Sequence, residues 1–200
     1  EVTRRPEGHQ FRSVRLIANG KLFVDGVTDG NGDKVGFEVT RNDDYTDIYL
    51  HDDQTTVVLN IHSFEPVTIY GASLSSLMPG VVYHAIGNNG ATFQSYNRLG
   101  SMGGDVTMLD PDLVIISLGT NEAFSKLTDD AMYAEIDYLV NDIRRHNPAA
   151  KILLTTPMEC QKGTRVVRRS RSRSRRRVYS SSRNYTVNDR VKVMRDVILR

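Results

Sequence analysis

The apolar residues of this chain keep two rhythms, and the change between them at Pro79-Gly80 constrains the fold more than any other feature. Before it, short runs rich in β-branched and aromatic residues alternate with turn clusters, without a helical period. Residues 13–18 and 21–25 flank Asn19-Gly20, a dipeptide suited to a two-residue hairpin. Further strands are expected at 35–40, 47–50, 56–61 and 67–70, separated by turn clusters at 29–33 and 42–44. Short strands at near-regular spacing predict an antiparallel β-sandwich or jelly roll. That module is assigned to residues 1–78, its strands lying between Glu7 and about Ser76.

Beyond Pro79-Gly80 the rhythm becomes strand, loop, helix. Residues 81–86 read as a strand, and a helix is expected within 91–99. Residues 113–118, Leu-Val-Ile-Ile-Ser-Leu, form a continuous apolar run of the kind buried on both faces. Thr128 is placed to cap a helix whose first turn carries Asp129 and Asp130. Its apolar stripe is Met132, Ile136, Leu139, Val140 and Ile143, and Arg144, Arg145, His146 and then Pro148 close it. A third strand follows at 151–156, and Val187, Val191, Met194 and Ile198 give a last helical stripe. Alternating strands and helices predict an α/β, parallel-sheet core over residues 79–200. No apolar run here is long enough to span a membrane, and no signal peptide is expected within these residues. The chain opens on Glu1 rather than Met and closes inside an apolar-periodic stretch, so both ends are expected to be cut.

In an open parallel sheet the loops leaving the carboxyl ends of the strands line one edge, where ligands bind. Three such loops are legible: Gly87-Asn88-Asn89-Gly90-Ala91-Thr92, Gly119-Thr120-Asn121-Glu122 and Thr156-Pro157-Met158-Glu159-Cys160. The first two join Gly to Asn. Glycine turns tightly and leaves its N–H open, and asparagine offers an amide donor. Two such donors aimed at one point suit the oxyanion of an acyl transfer; the plainer alternative is that they only turn the chain and cap helices.

The order Asn-Gly-Ala-Thr, then Pro-Asp-Leu-Val-Ile-Ile-Ser-Leu-Gly-Thr-Asn-Glu, resembles the second and third sequence blocks of the SGNH (GDSL-type) esterase/lipase family. The resemblance covers roughly residues 81–200 and implies a flavodoxin-like, partial SGNH hydrolase core. It implies that Gly90 and Asn121 are oxyanion-hole donors. With a β module upstream, the chain is similar to two-domain carbohydrate esterases, including peptidoglycan O-acetylesterases. In some of these a β-sandwich stands between the first and second blocks, a layout that puts the nucleophile before Glu1.

The family's first block, Gly-Asp-Ser, is absent, as is its fifth, Asp-x-x-His. Ser73 in Gly71-Ala72-Ser73-Leu74-Ser75 imitates a nucleophile elbow, but Pro79-Gly80 follows too soon for the helix an elbow needs, so a turn leaving the β module is expected. His84 is read as a core histidine within a strand, and His146 as a charge at a helix C-terminus. His9, His51 and His62 fall in the β module. Either the serine and the Asp/His pair lie outside these 200 residues, or the chain is a non-catalytic relative.

Up to Cys160 the 22 acids exceed the 12 bases, whereas beyond it 14 bases face 2 acids. Most of that excess lies in an Arg/Ser tract from Arg165 to Arg177, expected to be a solvated, Arg-rich loop (162–183) on the active edge. Few aromatics accompany it, Tyr179 and Tyr185 being nearest, so an anionic glycan is the expected partner rather than nucleic acid. No cofactor or metal is expected. Gly87-Asn88-Asn89-Gly90 lacks dinucleotide spacing, no phosphate loop exists, and residues 29–33 lack EF-hand spacing. The single Cys160 excludes an internal disulfide and a cysteine cluster. The expected function is a serine esterase that deacylates a glycan or another ester, in the cell envelope, the periplasm or outside the cell. The alternatives are a wall-binding protein with a degenerate core and a polyanion- or RNA-binding protein acting through the arginine tract.

Overall fold

The computed structural model describes residues 2–3, 10–76, 78–100, 102–171 and 177–200, with side chains for 10–76, 78–100, 102–166 and 182–200. His9 and positions 172–176 of the Arg/Ser tract lie outside the described residues. The chain divides into two compact units, Glu1–Ala85 and Ile86–Arg200.

The first unit is antiparallel. Its strands are β1 (Val2–Thr3), β2 (Phe11–Ala18), β3 (Phe23–Asp29), β4 (Phe37–Arg41), β5 (Tyr45–Gln54), β6 (Thr56–His62) and β7 (Ile69–Ser75). They form a three-stranded sheet, β1-β6-β3, and a four-stranded sheet, β4-β5-β2-β7. Alternation along the strands sends Phe11, Val14, Leu16, Ile48 and Leu50 from one sheet and Val27 and Val57 from the other into a single core. The hairpin expected at Asn19-Gly20 does not form: β2 pairs with β5 and β7, and β3 pairs with β6. Asn19 instead exchanges backbone and side-chain hydrogen bonds with Thr68, which precedes β7. Ser73 is not in a turn; it lies within β7, opposite Arg15.

Residues 81–86, expected as a strand, form no strand and no ladder pair among the described residues, and Val81 is 95% exposed. Apolar composition alone cannot hold a strand whose backbone groups find no neighbour. His84, expected in a core, is accordingly exposed.

The second unit contains α1 (Phe93–Asn97), α2 (Met102–Thr107), β8 (Leu113–Ile116), a 3₁₀ turn (Glu122–Phe124), α3 (Asp129–His146), β9 (Lys151–Leu154), β10 (Gln161–Arg171), β11 (Arg177–Val187) and α4 (Arg190–Ile198). β8 and β9 pair in parallel, as the α/β pattern predicts, with α3 between them in the chain. Thr128 caps α3 by accepting the Ala131 N–H, and the expected stripe is buried with Phe93, Ile116, Met194 and Val197. β8 is not buried on both faces: Leu113 and Ile115 are 51% and 50% exposed, because only one face of the pair carries packed helices among the described residues.

The Gly103-Gly104 pair hides α2 from a sequence reading. Asp142 of α3 accepts the Gly103 N–H at 2.7 Å, and a Cβ on Gly103 would stand 2.3 Å from the Asp142 carbonyl oxygen. Only glycine permits that approach. Val187 belongs to β11, leaving Val191, Met194 and Val197 as the buried face of α4. The Arg-rich loop is a ribbon: β10 and β11 pair antiparallel from Gln161↔Val187 to Arg171↔Arg177. Its arginines and serines conceal a β signal carried by Val166-Val167 and Val178-Tyr179. Among the described residues no helix is long and apolar enough to cross a membrane.

Candidate active site

Two loops meet at the carboxyl edge of β8. The first turns at Gly90, whose φ of +82° is the left-handed conformation glycine tolerates, and Ala91 N–H donates to Asn88 O at 3.1 Å. Thr92 then caps α1, its hydroxyl and that of Ser95 forming a reciprocal capping box. The second loop leaves β8 through Gly119, which has φ +115°; a Cβ there would crowd Met194 of α4 at 3.1 Å and Pro157 at 3.3 Å. Asn121 follows, and the 3₁₀ turn begins at the next residue.

Two short hydrogen bonds join the loops. Asn121 Nδ2 donates to Ala91 O at 2.8 Å. In the opposite direction, Phe93 N–H donates to Glu122 Oε1 at 2.6 Å. The structure thus brings Gly90 and Asn121 to one place. A primary amide has two N–H bonds, and the bond to Ala91 uses one of those on Asn121. Among the described residues the other has no acceptor, and neither has the Gly90 N–H. Two donors of different origin, fixed by a bond between their own loops, form an arrangement that can stabilise a developing negative charge.

Glu122 is the residue sequence reasoning missed. It is 3% exposed, and its Oε2 has no hydrogen-bond partner among the described residues. It helps to line a cavity of about 370 Å³ with Thr92, Phe93, Leu127, Met132 and Glu135. The signal was its place directly after Asn121, where a carboxylate reaches back to the first loop.

The third loop is tied to the second. Asn188 N–H donates to Cys160 O at 2.9 Å, and Asn188 Nδ2 to Ala123 O at 3.0 Å. Arg195 Nε donates to Pro157 O at 2.8 Å. No described histidine joins these loops. His146 Nδ1 lies 2.9 Å from Asp142 O on α3, and His62 Nδ1 lies 2.8 Å from Asp25 Oδ2 in the other unit. Among the described residues no group of three or more acidic, histidine or cysteine side chains is arranged to hold a metal ion.

The core is a parallel β8–β9 pair with two glycine- and asparagine-bearing loops beyond β8, at the edge where open α/β sheets bind ligands. Residues 28–193 match the GDSL-like Lipase/Acylhydrolase family model, and the chain belongs to this family. A solved structure described as "Peptidoglycan O-acetylesterase in action, 5 min" is similar, with 27% identity and a TM-score of 0.51. The similarity covers 74% of this chain and 41% of that one, so this chain matches about two fifths of that protein's length. A search of curated proteins found no match.

Proposed function

We propose that this chain supplies the oxyanion hole of an SGNH-type serine esterase that removes O-acetyl or similar acyl groups from a glycan. The observation that carries the reading is the Asn121–Ala91 bond, which fixes Asn121 beside Gly90 while leaving a donor open on each. The serine oxygen adds to the ester carbonyl as the histidine takes its proton, the carbonyl oxygen takes the negative charge, and Gly90 N–H and Asn121 Nδ2 donate to it. Collapse of the intermediate expels the sugar alkoxide, which takes a proton from the histidine; water then releases the acyl group. The sequence has neither Gly-Asp-Ser nor Asp-x-x-His, so serine, aspartate and histidine come from outside these 200 residues. The half-exposed apolar face of the parallel pair, Leu113, Ile115 and Leu153, suits an added element that carries the serine.

Similarity to a peptidoglycan O-acetylesterase supports an O-acetylated glycan as substrate and the cell envelope, periplasm or exterior as location. In the β unit, Phe23, His62 and Phe64 form an aromatic group with centroids 5.1–5.2 Å apart. Phe64 is largely exposed there and offers a surface for a sugar ring. The absence of a described histidine at the loops favours one second reading, a polysaccharide-binding protein with a degenerate core. Acetate release from an O-acetylated glycan, with labelling by a serine-directed fluorophosphonate, separates the two when measured on the full-length protein rather than on these 200 residues alone. The esterase shows both; glycan retention without either supports the binding protein.

A further inference from the structure

Residues 161–187 contain ten bases, Lys162 and nine arginines, and no acid. The structure gives this charge a shape. β10 and β11 keep an unbroken register over eleven residue pairs; at ~3.4 Å per residue the ribbon is roughly 35 Å long. Neither strand has a second partner among the described residues. A free two-stranded ribbon is marginal in water, and the register weakens this one further. Arg165 stands opposite Arg183; like charges placed directly opposite are destabilising. Neutralisation by an outside anion removes that cost.

One face is better equipped than the other. Gly163, Arg165, Arg183 and Tyr185 occupy register positions of one parity. Tyr185 is 60% exposed, and its ring packs on Gly163, where a Cβ would meet Cε1 at 3.2 Å. An open aromatic ring therefore lies beside an exposed guanidinium pair. The base of the ribbon is anchored at the oxyanion loop: Asn188, one residue past β11, binds Cys160 O and Ala123 O, and Arg190 Nη2 donates to Leu127 O at 2.7 Å.

We propose that the β10–β11 ribbon is a docking arm for an anionic polysaccharide, and that it leads a carboxylate-bearing glycan to the edge where Gly90 and Asn121 lie. The second clause rests on the esterase reading; polymer binding by the ribbon does not. Guanidinium groups pair with carboxylates in a bidentate fork, and the Tyr185 ring takes the apolar face of a sugar. Single-stranded nucleic acid fits less well, because it needs aromatics for successive bases and the ribbon holds only Tyr179 and Tyr185.

The test is affinity electrophoresis of the intact protein through polygalacturonate, amylose and poly(U) at low and physiological salt, beside the Arg165→Ala/Arg183→Ala and Tyr185→Ala variants. Polygalacturonate is expected to retain the protein in a salt-sensitive way, with amylose inert and poly(U) weaker. The double variant is expected to bind polygalacturonate about tenfold more weakly, and Tyr185→Ala to weaken binding at both salt concentrations. Equal retention by amylose, tighter binding to poly(U), or a double variant that binds like the unaltered protein overturns the proposal. Hydrolysis of p-nitrophenyl acetate is read in parallel on the protein together with the element that supplies the serine, aspartate and histidine. Polymer binding without hydrolysis keeps the arm and overturns the esterase reading, and hydrolysis without polymer binding overturns the arm alone.

Discussion

Replacing Glu122 probes the joint between the two donor loops. Its Oε1 accepts the buried Phe93 N–H at 2.6 Å, at the first residue of α1. In Glu122→Ala that N–H loses its acceptor, which costs about 1–3 kcal/mol, and the truncated side chain leaves unfilled space. We expect a total loss of about 2–4 kcal/mol, a large share of the roughly 5–15 kcal/mol of a typical domain. Glu122→Gln keeps an acceptor oxygen at the same reach. Its amide oxygen can accept the same Phe93 N–H, and the Oε2 atom, which has no partner among the described residues, becomes an amide nitrogen of the same size. The glutamine variant is therefore expected within about 1 kcal/mol of the parent. Urea denaturation measures both values, and hydrogen exchange at the Phe93 amide reports the bond itself, with faster exchange in the alanine variant alone. An alanine variant within about 0.5 kcal/mol of the parent, or a glutamine variant as weak as alanine, refutes the clasp.

Other expectations follow from single contacts. Gly103→Ala puts a methyl against the Asp142 carbonyl oxygen and should lower the stability of the α/β unit by about 1–3 kcal/mol in urea denaturation. Gly119→Ala combines a left-handed φ with crowding by Met194 and Pro157; it should cost about 1–3 kcal/mol and lower esterase turnover, read as kcat. The Asp29 carboxyl is held below its usual range, first by the Asp33 N–H and then by hydrogen bonds from Asn31. A depressed carboxyl contributes stability above its unfolded value that is lost as pH falls through the folded one. Titration of the Asp29 carboxyl by carbon NMR should therefore have its midpoint below 3.8, and a midpoint at or above that value contradicts the turn.

What was legible in the sequence was what local chemistry decides. The Thr128 cap, the acidic first turn and the stripe from Met132 to Ile143 specify α3 without reference to the rest of the chain. The two donor loops were legible because glycine and asparagine directly follow an apolar run, and the structure joins them through Asn121 and Ala91. Elements that depend on a distant partner were not legible. Asn19-Gly20 has hairpin composition, yet Thr68 takes the hydrogen bonds of Asn19. Residues 81–86 are apolar enough for a strand but have no neighbour to pair with among the described residues. Glu122 escaped notice because its role depends on Phe93, 29 residues earlier in the chain.

The central claim is that Asn121 donates to the oxyanion, and the kcat of Asn121→Ala, in the protein together with the element that supplies the serine, tests it most directly. With an acetylated substrate at saturation, kcat is predicted to fall about a hundred- to a thousandfold. Loss of the bond to Ala91 should lower the stability measured in urea by no more than about 1 kcal/mol. A stable Asn121→Ala variant whose kcat stays within about twofold of the parent contradicts the assignment.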